Sequence, residues 1–216
     1  MKASFWQRCW QKNDLGFHQD EFNPMLTELF SEFAGDTQGT ILVPLCGKSL
    51  DMVYLSQTHD VVGCEMNEIA CEDFFTDKRL NPRRTQGQYY SRWRNANVTL
   101  WAGDIFKLQR YDLPNTHMVY DRAALVALPE DMREKYVKHI RSMFREGDKL
   151  LLLTVEYPQD EMQGPPFSIE QDEVERLFEG CTIVKKKSVN IEDKKFAQRT
   201  FDVSSLTEVA YFITFD

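Results

Sequence analysis

Short apolar runs alternate with helix-forming stretches over the first 155 residues, and no other feature restricts the fold as much. Thr40 to Leu45 follows Gly39 as a run without a polar face, the pattern of a strand buried on both sides in a parallel sheet. Asp60 to Glu65, Asn97 to Trp101, His117 to Asp121 and Lys149 to Val155 repeat it, the last with four consecutive leucines. A helix is expected from Ser49, and another after Asn67, a candidate N-cap followed by Ile69, Ala70, Phe74 and Phe75 at helical spacing. Glu130 to Phe144 carries Met132, Tyr136, Ile140, Met143 and Phe144 three and four apart behind Pro129, which predicts a helix there. Further on, Ser168 and Gln171 fit a capping box that opens a helix through Phe178. Two last strands are expected near Thr182 to Asn190 and Thr207 to Phe215.

This order implies an α/β fold: a doubly wound, Rossmann-like, mostly parallel sheet of seven strands with right-handed crossovers and an antiparallel C-terminal pair. Residues 1–216 are expected to form one domain, with 1–36 as a helical cover. Such a sheet takes its ligand outside the carboxyl ends of the central strands, where strand order reverses. The loops beginning at Leu45, Glu65, Trp101 and Asp121 all fall there.

Composition narrows the function. A formal net charge of −8 argues against a nucleic-acid partner, since phosphate binding depends on clustered Lys and Arg. The one basic cluster, Lys185 to Lys187 with Lys194 and Lys195, reads as a solvated face. No apolar run approaches the roughly 20 residues that cross a bilayer, and the N-terminus lacks a secretory pattern. A cytoplasmic chain without membrane contact is expected. Five cysteines, Cys9, Cys46, Cys64, Cys71 and Cys181, are widely spaced with no C-x-x-C pair, so neither a disulfide framework nor a metal site is expected. Nothing resembles a coiled coil, and a monomer is expected.

Four constellations sit at the predicted crevice. Pro44-Leu45-Cys46-Gly47-Lys48-Ser49 places a glycine where backbone can approach a ligand at a helix start. It is not a P-loop, because Leu42 stands where that pattern needs its first glycine, and the glycines that admit a pyrophosphate are missing. Glu65 follows Gly47 by eighteen positions, about the spacing at which an acid grips ribose hydroxyls; with Met66 it ends the second strand. Glu65 reads equally as a cap of the next helix. A ribose acid without a pyrophosphate turn suggests an adenosine ligand lacking phosphates, and S-adenosylmethionine fits. Asp104 and Ile105 offer an acceptor for an adenine amino group and a cover for its ring, or simply a solvated turn. Asp121 and Arg122 offer an acid and a cation at the crevice mouth, or a strand-end ion pair.

The N-terminal Phe5-Trp6-x-x-x-Trp10 puts two indoles on one helix face. They dock the helix on the core, or they cover the crevice, hold water away from a sulfonium and offer it π-faces. No H-E-x-x-H, G-x-S-x-G or regular metal-ligand spacing occurs, and His18, His59, His117 and His139 are scattered.

Together, Phe-Trp-x-x-x-Trp at 5–10, Phe17-His18-Gln19, Pro-Leu-Cys-Gly-Lys-Ser at 44–49, Asp-Arg-Ala-Ala-Leu-Val-Ala-Leu-Pro at 121–129 and Gly-Pro-Pro-Phe at 164–167 resemble the thiopurine S-methyltransferase family in its bacterial form. The resemblance runs to about residue 180, and segment 81–96 carries no motif of it. It implies a seven-stranded class I methyltransferase fold with S-adenosyl-L-methionine held at Trp10, Leu45, Glu65, Ile105 and Arg122. It also implies an acceptor pocket at Phe17, with His18 and the loop of Pro166 beside it. The reaction expected is in-line methyl transfer to a small-molecule thiol, with Arg122 stabilising a thiolate and Asp121 or His18 assisting. The competing expectations are a selenium or tellurium acceptor on the same site, and S-adenosylmethionine binding without catalysis.

Overall fold

A computed structural model of the chain describes residues 3–216, and every run expected from the pattern is a strand in it. The elements are α1 (Ala3–Gln11), α2 (Pro24–Ala34), β1 (Thr40–Pro44), α3 (Asp51–Leu55), β2 (Asp60–Glu65), α4 (Glu68–Asp77), β3 (Arg83–Gln86), β4 (Tyr90–Asn95), β5 (Val98–Gly103), β6 (Thr116–Asp121), α5 (Glu130–Met143), β7 (Lys149–Glu156), α6 (Gln171–Leu177), β8 (Cys181–Asn190), β9 (Lys195–Phe196), β10 (Arg199–Thr200) and β11 (Thr207–Phe215). Strand order in the main sheet is β3-β4-β5-β2-β1-β6-β7-β11-β8. β5, β2, β1, β6 and β7 pair in parallel, while β11 runs antiparallel between β7 and β8. Order therefore reverses between β1 and β6, and a crevice opens at their carboxyl ends.

The continuous apolar runs are explained by helices on both faces. Ile41 and Val43 of β1 pack with Met25, Leu26 and Phe30 of α2, Met52 and Leu55 of α3, and Phe74 and Phe75 of α4. Leu42, between them, joins the opposite layer with Tyr136 and Ile140 of α5 and Val174 and Leu177 of α6. Alternate side chains of one strand thus feed two cores, as the period of two requires.

Three expectations are corrected. The main sheet has nine strands, because the hairpin β3–β4 adds two antiparallel strands beyond β5. Its sequence, rich in arginine with only Ser91 and Trp93 buried, gave no apolar run. The capping box at Ser168 does not form: α6 starts at Gln171 after Glu170, and Ser168 Oγ instead accepts from Tyr157 N–H at 2.9 Å. The 1–36 segment divides, since α2 is core rather than cover, and α1 with the loop behind it faces the crevice. Asn67 does cap α4, its Oδ1 accepting from Ile69 N–H at 3.0 Å. Lys186 and Lys187 of the basic cluster pair with Glu32 and Glu28 of α2 at the sheet edge. Among the described residues no helix is long and apolar enough to cross a membrane.

Candidate active site

Beyond Pro44 the chain turns at once into the left-handed region, with φ of +47° at Leu45 and +51° at Gly47. A leucine is strained there and persists only where its surroundings hold it. Here Cys46 N–H donates to Cys64 O at 3.1 Å, and the Cys46 side chain lies on Gly63, where a Cβ would come within 2.6 Å of its sulfur. Gly47 has a second reason to lack a side chain, because a Cβ would meet the Trp10 ring at 3.3 Å. Its N–H donates to Glu65 Oε2 at 3.0 Å, and Glu65 Oε1 accepts from Asn67 N–H at 2.8 Å. Glu65 thus bridges the loops after β1 and β2. Burial pushes its pKa up, and these backbone donors oppose the rise. Lys48 turns away to Asp77 and Asp73 of α4, at 2.9 and 3.5 Å, so the Gly-Lys-Ser triplet forms no phosphate cradle.

Asp121 and Arg122 are neighbours at the end of a strand and leave it on opposite faces. Asp121 goes to the α5 side, where it accepts from Ala124 N–H at 2.9 Å, Leu125 N–H at 3.2 Å and Tyr136 O–H at 2.7 Å. Desolvation outweighs these bonds and raises its pKa to about 6. The strand-end ion pair between the two does not form. Arg122 goes to the other side, with Nε 3.0 Å from Asp51 Oδ2. Burial works against its charge, but Asp51, Tyr120 and Glu208 together hold its pKa above the ordinary arginine value.

These loops surround a cavity of about 690 Å³, a size typical of small-molecule sites. Trp6, Trp10, Phe17, Leu45, Gly47, Glu65, Met66, Arg122 and Pro166, all singled out in the sequence, line it. Phe17 packs edge-on against both indoles, with ring centroids 5.4 Å from Trp6 and 5.8 Å from Trp10. Asp104, Ile105, Asp121 and His18 do not line it. Asp104 is exposed and accepts from Phe106 N–H at 3.0 Å, and Ile105 is buried in the core; both follow β5, whose Ala102 pairs with Glu65. His18 stands 3.9 Å from Asp20, and burial followed by Lys48 lowers its pKa. Cys46 is no nucleophile, since burial pushes its thiol well up.

Sequence reasoning missed one wall. Phe196, Gln198, Arg199 and Phe201 of the β9–β10 hairpin line the cavity, held there as Gln198 donates through N–H to Gly16 O at 3.1 Å and through Nε2 to Asp20 at 2.8 Å. Strands of two residues carry no periodicity, so no hairpin was expected there. Opposite, Phe167 N–H donates to Val126 O at 2.7 Å and Tyr157 O–H to Pro166 O at 2.6 Å, fixing the Gly164–Phe167 loop.

The model of the thiopurine S-methyltransferase family matches residues 1–215, including segment 81–96 and the tail. The chain belongs to this family. Thiopurine S-methyltransferase of Pseudomonas paraeruginosa is 42% identical over 217 residues, covering 99% of each chain, and that of Photobacterium profundum is 41% identical over 184 residues, 85% of each. Solved structures agree on the fold. A SAM-dependent methyltransferase from Anabaena variabilis superposes with a TM-score of 0.70 at 13% identity, covering 99% of this chain and 95% of that one. The 1,6-didemethyltoxoflavin-N1-methyltransferase of Burkholderia thailandensis, solved with 1,6-didemethyltoxoflavin and S-adenosylhomocysteine, gives 0.62 at 14% identity over 99% and 87%. As a member of the thiopurine S-methyltransferase family, the chain is an S-adenosylmethionine-dependent methyltransferase. Its residues fit that donor: the Gly47 backbone and the buried Glu65 carboxylate meet in the cavity lining, and aromatic faces suited to a sulfonium line the same cavity.

Proposed function

We propose that the enzyme S-methylates aromatic and heterocyclic thiols, thiopurines among them, in the cavity between α1, the loops after β1 and β6, and the β9–β10 hairpin. The observation that carries this is the lining itself: Phe5, Trp6, Phe17, Pro166, Phe196 and Phe201 form apolar and aromatic walls around one deeply held cation, Arg122. Flat apolar walls match a planar ring, and a single desolvated guanidinium matches the negative charge of a thiolate.

Each residue then has a task. Glu65 and the Gly47 loop would hold the ribose, and Leu45 and Met66 would flank the nucleoside. Trp6 and Trp10 exclude water and face the positive sulfur. When bound, S-adenosylmethionine supplies an electrophilic methyl group open to in-line displacement by the acceptor sulfur. Arg122 keeps that acceptor ionised, so an acidic aromatic thiol needs no separate base. Asp121 acts at one remove, fixing the 123–125 turn that continues into the Val126 and Ala127 wall.

A panel of acceptors tests the reading. With labelled S-adenosylmethionine, 6-mercaptopurine and a simple aromatic thiol should exceed an aliphatic thiol, selenite and tellurite in kcat/KM by about 10-fold or more, one ring's worth of apolar contact. Turnover confined to selenite or tellurite would move the acceptor class to chalcogen oxyanions. Donor binding with no turnover on any acceptor would argue for a binder without catalysis.

A further inference from the structure

Residues 120 and 122 lie two apart at the end of β6 and leave it toward the same face. Both converge on one oxygen. Tyr120 O–H donates to Asp51 Oδ2 at 2.9 Å, and Arg122 Nε stands 3.0 Å from the same atom. Asp51 Oδ1 accepts from the backbone N–H of Asn23 at 2.8 Å, and Asn23 Nδ2 donates to Glu208 Oε1 at 2.9 Å. Asp51 and Tyr120 are each 1% exposed and Asn23 is fully buried. A carboxylate with both oxygens engaged, one by the end of β6 and the other by the start of α2, has little freedom to swing. Asp51 does not line the cavity, whereas Arg122 does. An arginine held through Nε keeps its two terminal nitrogens for another partner, because the fork is planar and carries five donors.

We propose that Asp51, clamped by Tyr120 and Asn23, is the positioning residue that aims the Arg122 guanidinium at the acceptor. The proposal rests on the reading of Arg122 as the thiolate's partner. Asn23 is also the N-cap of α2, so the carboxylate that sets the cation also holds the start of that helix.

The test is a kinetic cycle of Asp51→Asn, Arg122→Gln and the double variant, with 6-mercaptopurine as acceptor. Asn is isosteric and keeps an oxygen for Asn23 N–H, but it turns an amide toward the two donors at Oδ2. Asp51→Asn should lower kcat by about 10- to 100-fold with the thiol's KM within about threefold, and change kcat less than about twofold once Arg122 is already Gln. Equal factors in both backgrounds would make Asp51 a structural residue independent of Arg122 and overturn the proposal. If Arg122→Gln alone has wild-type kinetics, Arg122 has no task to be aimed for, and both readings fall at that single variant. Should Asp51→Asn not fold, Tyr120→Phe, which removes one hydroxyl, gives the same cycle with an expected loss of about threefold that vanishes beside Arg122→Gln.

Discussion

Asp121 shows how much of a site hangs on the face to which a side chain points. Beside Arg122 in sequence it reads as half of an acid–base pair, yet the strand's period sends it to the α5 layer, where Tyr136 and two backbone amides take it up. Its raised pKa has a consequence for stability. A carboxyl whose pKa moves from 3.8 unfolded to about 6 folded stabilises the fold fully below about pH 4, and that contribution is lost as pH rises through 6. Asp121→Asn does not titrate in this window. The stability of the wild type relative to the variant should therefore fall by about 2–3 kcal/mol between pH 4 and pH 7, measured by urea unfolding; a flat or rising difference would contradict the burial argument. Trp10, Gly47, Glu65 and Arg122 were legible because each sits at a strand end or in a motif. Asp51 was not: its role depends on Tyr120 and Asn23, 69 and 28 positions away, which no spacing rule connects.

Among the elements, the parallel strands were readable because a strand buried on both faces must be apolar through its middle, as 41–43 of β1, 61–64 of β2, 118–120 of β6 and 150–153 of β7 are. The β3–β4 hairpin obeys a different rule. Its apolar anchor is Trp93, whose Nε1 donates to Ser91 Oγ at 3.0 Å and whose ring lies under Arg84, 4.4 Å from centroid to guanidinium carbon. Ser91 in turn donates to Glu68 Oε1 of α4 at 2.7 Å. Cross-strand pairing with β5 and two stacked arginines, Arg84 on Trp93 and Arg92 on Trp101, hold this edge, and none of these leaves an apolar signature. Trp93→Ala should cost about 3 kcal/mol, the usual penalty for deleting a large buried aromatic, while the donor's Kd stays unchanged, since the hairpin contributes nothing to the cavity. A loss below 1 kcal/mol in denaturant unfolding would mean that the hairpin is an appendage to the sheet. The β9–β10 hairpin is the converse case, a wall of the cavity built from the shortest strands, and only its contacts with Gly16 and Asp20 reveal it.

At the scale of the molecule, the reversal of strand order between β1 and β6 opens the crevice, and α1 and the β9–β10 hairpin close it. α1 comes from the N-terminal side and the β9–β10 hairpin from the C-terminal side, and together they give the crevice an aromatic chamber. Glu65 and Arg122 are the buried charges of its lining, so the chamber suits a donor with a positive sulfur and an acceptor with a polarisable one. That account stands most directly on the product formed from 6-mercaptopurine and methyl-labelled S-adenosylmethionine, with methylated purine and S-adenosylhomocysteine quantified together and the methylated atom assigned by NMR. It predicts one S-adenosylhomocysteine for each methyl group gained, with the label on the exocyclic sulfur. Label on a ring nitrogen, or no transfer from a donor that binds, would contradict it.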